Sequence, residues 1–150
     1  MRRCAVIAGL FVLLAHSAPA RLMRSWSYRE LFAASDFVVI ATPASRTHDT
    51  GEHNTLSDVG MAVSGVETEF RALLVLKGAQ RSRFTLHHYR LTREDVALVD
   101  APMLVSFVVS SELHRYLLFL TRERDGRFAP TGGQTDPFLI GVQELSGVIK

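Results

Sequence analysis

The stretch RYLLFLTRERDGRFAP, residues 115–130, decides the fold of this chain because it encodes two β-strands joined by a tight turn. Residues 116–120 are apolar at every position, which is typical of a strand buried on both faces. Asp125 and Gly126 tolerate the positive φ angles of a tight hairpin at little energetic cost. The stretch therefore predicts a β-hairpin whose first strand lies inside the structure.

The length of this turn depends on the charges beside it. A two-residue loop would place Arg124 opposite Arg127, and directly opposed like charges destabilise a strand pair. A four-residue loop closed by Glu123 and Phe128 avoids that opposition. We therefore predict the longer loop.

The segment before the first strand has the start signal of a helix. Ser27 and Glu30 form a capping box, in which each side chain satisfies a backbone amide at the helix start. The helix is expected to end near residues 35–36. Residues 37–41, Phe-Val-Val-Ile-Ala, are then β-branched and apolar, which favours a buried strand.

Further apolar runs predict the remaining strands. In residues 66–76 the side chains of Phe70, Ala72, Leu74 and Leu76 fall on one face, and the end of this strand is expected to be buried on both sides. Strands are also predicted at residues 84–91 and 103–109, strand or irregular structure at residues 138–145, and a helical turn or loop at residues 92–100.

One short helix and five or six strands define the fold class. The chain lacks the alternating long helices of a parallel α/β sheet. We predict a mainly β fold, a small antiparallel OB-like barrel of the partly open Greek-key kind with a short N-terminal helix.

Residues 1–20, MRRCAVIAGLFVLLAHSAPA, have the three parts of a secretory signal peptide. Two arginines give a positive start, residues 5–15 are apolar and uncharged, and residues 18–20 supply the small side chains that precede cleavage. The apolar run is well short of the roughly 20 residues that span a bilayer. The pattern predicts cleavage after Ala20.

Cleavage would leave residues 21–150 as a single secreted or periplasmic domain with no membrane span. The whole chain has 17 Lys and Arg against 15 Asp and Glu, and loss of Arg2 and Arg3 would leave 15 of each. A neutral chain lacks the positive surface that nucleic acids require, so no nucleic-acid partner is expected. Cys4, the only cysteine, would also leave, which excludes disulfides and thiolate zinc sites from the mature domain.

Three segments resemble a known family: LFAASDFVVIATP (residues 31–43), EFRALLVLKG (69–78) and RYLLFLTRERDGRFAPTGG (115–133). They are distantly similar to the netrin-like and tissue inhibitor of metalloproteinases group, and this resemblance implies an OB-type barrel. Members of that group inhibit proteases through an N-terminal cysteine that engages the catalytic zinc. Residues 21–150 contain no cysteine, so the resemblance implies the fold and not that activity.

Residues 44–58, ASRTHDTGEHNTLSD, are polar and without period, which predicts a long loop. His48, Asp49 and His53 are its candidate metal ligands, because imidazole and carboxylate groups suit zinc or a similar ion. Their spacing matches no zinc signature, and polar loops ordinarily contain such residues. No cofactor is indicated elsewhere in the chain.

Two other residue pairs carry possible chemistry. His87 and His88 are neighbours on a strand, so they point to opposite faces and are not expected to bind one ion. Glu67 and Glu69 share a strand face with Cβ atoms roughly 7 Å apart, a separation that could serve glycoside hydrolysis. Alternate charged residues are also what a solvated strand face contains.

The sequence therefore favours an exported, non-enzymatic binding or interaction module over an enzyme. Its partner would be a protein, a peptide or a carbohydrate, bound through the loops at residues 44–58 and 131–137. The alternative is a metal-binding protein or metal-dependent hydrolase that uses the loop at residues 44–58.

Overall fold

The structure is a computed structural model that describes residues 25–56, 61–92, 104–107, 114–133 and 141–145 of the 150-residue chain. In chain order its elements are α1 (Tyr28–Ala34), β1 (Phe37–Pro43), β2 (His48–Leu56), β3 (Met61–Lys77), β4 (Arg83–Leu91), β5 (Tyr116–Arg122), β6 (Phe128–Pro130) and β7 (Val142–Glu144).

Five of the strands close into a barrel in the order β1, β3, β4, β6, β5, with β5 pairing back onto β1. Four of the five joins are antiparallel, and the β4–β6 join is parallel through the single pair Leu86 and Phe128. β2 and β7 extend the sheet beside β3 and β5. The predicted mainly β, OB-like barrel with a short N-terminal helix is confirmed, and the barrel is closed rather than partly open.

The barrel interior is filled by phenylalanine rings from four strands. The ring centroids of Phe37 and Phe128 are 5.1 Å apart, those of Phe37 and Phe84 are 5.2 Å apart, and those of Phe70 and Phe84 are 5.6 Å apart. The first pair is tilted, the second is edge-to-face and the third is stacked. Aromatic contacts at these separations stabilise the pairs beyond the area that they bury. The inward positions of each strand therefore form one apolar core.

Helix α1 packs on the outer side of β1 and β5 through the fully buried Leu31, which meets Val38 and Phe119. Burying a leucine in this way contributes about 2 kcal/mol. The predicted capping box is confirmed: Ser27 Oγ accepts from the Glu30 amide at 3.3 Å, and Glu30 Oε2 accepts from the Ser27 amide at 2.8 Å.

The predicted loop at residues 44–58 is wrong, because its central part forms β2. β2 pairs with the first half of β3, which is longer than the predicted strand and begins at Met61. Backbone hydrogen bonding to a neighbouring strand overrides the weak strand propensity of these polar residues. Gly51, with φ +78, supplies a bend inside β2.

The predicted burial of β3 near its end is also wrong. Leu73, Leu74 and Leu76 are 44%, 53% and 47% exposed. Register shifts interrupt the pairing of β3 with β1 at two points, between Val38 and Val39 and between Ile40 and Ala41. Each shift inserts one extra residue into β3, as in a β-bulge, and so breaks the simple alternation of inward and outward side chains.

The hairpin after β5 turns at Asp125 and Gly126 as predicted, and Gly126 has φ +96. The loop has three residues rather than four, because Glu123 donates its amide hydrogen to the Arg127 carbonyl at 2.8 Å. The Gly126 amide hydrogen-bonds to the Glu123 carbonyl at 3.1 Å. A turn followed by a glycine at positive φ is a common way to close a three-residue hairpin.

Several predictions lie wholly or partly outside the described residues. They are the signal peptide at residues 1–20, the segment at residues 92–100 beyond its first residue, and parts of the strands predicted at residues 103–109 and 138–145. Residues 104–107 have no regular structure, but Val105 is buried in the barrel core. Of the last predicted strand, Val142–Glu144 is observed as β7.

Candidate functional site

The three side chains proposed as metal ligands lie on β2, and each contacts a different part of the protein. His48 Nε2 is 3.5 Å from Glu67 Oε2 on β3. Asp49 Oδ2 accepts a hydrogen bond of 2.7 Å from Arg90 on β4, and His53 Nδ1 lies 3.5 Å from a serine hydroxyl of β3. Across the residues that the structure describes, no group of three or more His, Cys, Asp or Glu side chains is arranged to hold a metal ion. The metal site at these residues stays a prediction.

A bulge in β2 brings Glu52 over the outer face of β3. Asp49 pairs with Val66 and His53 pairs with Ser64, so the three residues 50–52 of β2 lie opposite the single residue Gly65 of β3. A Cβ on Gly65 would lie 2.7 Å from Thr50 Oγ1 and 2.9 Å from Glu52 Cβ. Glycine is therefore required at this position so that the two backbones can approach each other.

The same bulge favours the ionised form of the Asp49 carboxyl. The Gly51 amide donates a hydrogen bond of 2.7 Å to Asp49 Oδ1. This bond is the main reason that the pKa of Asp49 lies below its ordinary value. Desolvation is the next largest effect and acts in the opposite direction, and the charge of Arg90 adds to the lowering.

Glu52 belongs to a group of charged side chains outside the barrel, between β2, β3, β4 and the β5–β6 turn. We call this group the ion-pair cluster, and its members are Glu52, Glu67, His87, Glu123 and Arg127. Glu67 and Arg127 are 60 residues apart in the chain. No motif with short spacing marks the cluster in the sequence, and its only signal there is the group of charged residues beside the Asp-Gly turn.

His87 is the buried centre of the ion-pair cluster, with only 3% of the residue exposed. Its Nδ1 lies 2.9 and 3.0 Å from the two carboxylate oxygens of Glu123. Nδ1 must carry the hydrogen in this contact, because an ionised carboxylate can only accept. Its Nε2 lies 3.3 Å from Glu52 Oε2, so the ring lies between two carboxylates.

Arg127 connects the carboxylates of the cluster. Its guanidinium is 2.7 Å from Glu67 Oε1, 3.0 Å from Glu52 Oε1 and 2.6 Å from Asp125 Oδ2. Burial opposes its charge, but the hydrogen bonds to Glu67 and Glu52 outweigh burial and hold the pKa of Arg127 above its ordinary value. The Arg127 amide likewise donates to Asp125, and this bond is the first cause that lowers the pKa of that carboxyl.

The chemistry of this arrangement is that of a structural cross-link. Each carboxylate faces either the guanidinium or the imidazole, and charge-assisted hydrogen bonds of this kind hold side chains in fixed positions. Glu67, predicted as half of a possible carboxylate pair, binds Arg127, and its predicted partner Glu69 binds Arg83 at 3.1 Å. The cluster ties the β5–β6 turn to the sheet.

His88 points the opposite way from His87, into the barrel, as the sequence analysis predicted for neighbours on a strand. It is 2% exposed, its Nδ1 donates to the Val105 carbonyl at 3.1 Å, and its Nε2 accepts from Thr68 Oγ1 at 3.0 Å. Burial lowers the pKa of His88 to about 4, against the opposing effect of the Val105 bond. The ring is therefore neutral at neutral pH and belongs to the core.

The second candidate surface is apolar and lies on the distal half of β3. Leu73, Leu74 and Leu76 project from the outer side of the barrel, and we call them the leucine patch. Ala72 and Val75 pack against the core although they are three positions apart. This spacing, set by the bulges, is what turns the leucines outward.

A scan against protein-family models found no match to this chain, and a search of curated proteins found none. No helix in the described part of the chain has the length and apolarity to cross a bilayer.

Proposed function

We propose that this chain is an exported, non-enzymatic binding module that meets its partner through the leucine patch. The observation that carries the proposal is the exposure of Leu73, Leu74 and Leu76, each close to half of its surface. Apolar side chains gathered on one part of a soluble surface mark interaction sites more often than single exposed leucines do.

The surroundings of the patch enlarge its apolar surface. Leu74 pairs in register with the partly buried Ile40 of β1. Phe32 of α1 is 44% exposed, and Lys77 Nζ lies 5.4 Å from the centre of its ring, so the end of β3 and the helix form neighbouring parts of one surface. A partner that covered this surface would remove several half-exposed side chains from water, at about 25 cal/mol for each Å².

Binding is favoured over catalysis by the state of the polar side chains. In the ion-pair cluster, Glu52, Glu67 and Glu123 are held by Arg127 and His87 within the protein itself. Groups already engaged in this way stabilise the fold and are poorly placed to act on a substrate.

The site of binding differs from the one that the sequence suggested. Much of the segment at residues 44–58 is strand β2 and contributes Glu52 to the ion-pair cluster, so it is not a free recognition loop. The other predicted loop, at residues 131–137, lies outside the described residues after residue 133, and its first residues form a turn directly after β6. The leucine patch replaces these loops as the proposed contact surface.

Export is the second half of the proposal and rests on the signal-peptide pattern of residues 1–20. The distant resemblance to the netrin-like group agrees with an exported barrel. N-terminal sequencing of exported material tests this half: a first residue of Arg21 is expected, and recovery of the chain only inside the cell with Met1 intact would contradict it.

Site-specific photocrosslinking tests the binding half. A photoreactive side chain at Leu73 is expected to form adducts with another molecule in native envelope material, while the same group at the exposed Thr121 of β5 serves as the control. If Leu73 and Thr121 gave the same background of adducts, the leucine patch would not be a binding surface.

A further inference from the structure

We infer that the leucine patch docks on a lipid surface that carries anionic headgroups. This inference rests on the proposed function, because it names the partner of the same surface.

The leucine patch lies on the outer side of the barrel wall and not in its interior. The leucines stand on the outside of a closed barrel, whereas sites for small molecules are concave and surround their ligand. Half-exposed leucines on the outer side of a barrel can enter the boundary between headgroups and acyl chains, where apolar side chains of peripheral proteins are buried.

Cationic side chains border the leucine patch at both ends. Arg71 precedes it, and Lys77 follows it and pairs in register with the outward-facing Val38. Lys77 Nζ donates to the carbonyl oxygens of Phe32 and Ala33, which are neutral groups, so its positive charge stays at the surface.

The wider segment has the same sign of charge. Between residues 70 and 92 the chain carries five Lys and Arg side chains and no Asp or Glu. Two of them form ion pairs, Arg83 with Glu69 and Arg90 with Asp49. The guanidinium of Arg81 lies over the rings of Phe37 and Phe128. The other two, Arg71 and Lys77, are the cations that border the leucine patch. Cations that border an apolar patch attract anionic lipids, and their long side chains can reach phosphates while the leucines enter the apolar layer.

Vesicle co-sedimentation of the mature domain tests the inference. Vesicles that mix phosphatidylcholine and phosphatidylglycerol in equal parts are expected to bind the protein roughly tenfold more strongly than pure phosphatidylcholine vesicles. Raising the salt concentration should remove most of this difference, because the attraction of exposed charges is screened.

Three variants separate the contributions. The double variant Leu74→Gln/Leu76→Gln should bind the anionic vesicles roughly tenfold less strongly than the wild type, because two apolar side chains no longer enter the lipid. Lys77→Gln should bind the anionic vesicles about fivefold less strongly than the wild type. Arg124→Gln, in the exposed turn between β5 and β6, is the matched control for charge and should bind as the wild type does. Far-ultraviolet circular dichroism confirms that each variant remains folded.

The outcomes distinguish this inference from the proposed function. No binding to anionic vesicles, together with protein adducts at Leu73, would overturn the lipid inference and leave the binding module in place. Dimers that disappear in Leu74→Gln/Leu76→Gln, without vesicle binding, would overturn it in favour of a second copy of the chain. No vesicle binding and no adducts at Leu73 would remove both proposals.

Discussion

Acidification should destabilise this protein through His88, which is buried inside the barrel. Removal of the ring from water lowers the pKa of His88 from 6.5 to about 4, although the bond to Val105 acts in the opposite direction. Below pH 6.5 the ring of His88 takes up a proton in the unfolded chain, whereas in the folded chain it does so only near pH 4. Because the unfolded state binds more protons in this window, the free energy of unfolding falls as the pH drops through it.

The size of the effect follows from the two pKa values of His88. At roughly 1.4 kcal/mol for each pH unit, the interval from 6.5 to about 4 corresponds to about 3 kcal/mol of stability. About 2 kcal/mol of this should already be lost at pH 5. Small domains have about 5–15 kcal/mol in total, so the loss is large enough to measure easily.

Urea denaturation between pH 7 and pH 4 measures the effect, with His88→Gln as the variant that cannot titrate. The free energy of unfolding is plotted against pH for wild type and for His88→Gln. The difference between the two slopes isolates the contribution of His88 from that of the other titrating groups. His53→Gln, at an exposed position of strand β2, is the matched control for a His-to-Gln replacement outside the core. If His88→Gln proves unstable, an NMR titration of the wild-type ring gives its pKa directly. Equal pH dependence in wild type and His88→Gln, or a ring that titrates near 6.5, would refute the reasoning.

Two further predictions concern the ion-pair cluster and the bulge beside it. Arg127→Met should lower the free energy of unfolding, measured by urea denaturation, by about 3 kcal/mol because it leaves carboxylates without their cation. Arg124→Met in the same turn is the control and should change the free energy of unfolding by less than about 0.5 kcal/mol. Similar losses for both variants would contradict this role of Arg127. Gly65→Ala should lower the free energy of unfolding by about 1–3 kcal/mol, because its Cβ would come within 2.7 Å of Thr50 Oγ1. Gly141→Ala is the control, because the nearest atom to an added Cβ there is 3.5 Å away. Thermal denaturation compares the two variants, and equal melting temperatures would argue against the steric constraint at Gly65.

The parts of the fold that local rules determine could be predicted from sequence. The helix start at Ser27 and the buried strands β1 and β5 follow from capping and from apolar runs, and the turn follows from Asp125-Gly126. β2 could not be predicted in this way, because its residues are polar and form a strand only when the first half of β3 offers a partner.

The candidate surfaces depend on long-range geometry, so they could not be predicted from the sequence. An ordinary strand alternates its faces, and this rule placed Leu74 and Leu76 in the core beside Phe70. The bulges opposite β1 break that rule, and nothing in the leucine-rich sequence of β3 marks them. The opposite directions of His87 and His88 were predictable, but their partners on other segments were not.

The barrel wall is unequal around its circumference. β3 pairs with β4 through nine residue pairs and β1 with β5 through five, whereas β4 and β6 share one. The ion-pair cluster spans this weakest join, since His87 belongs to β4 and Arg127 immediately precedes β6. The barrel therefore has a seam at which it can open locally into a curled sheet while its other ladders stay intact, and ionic strength acts on that seam more than on the apolar core.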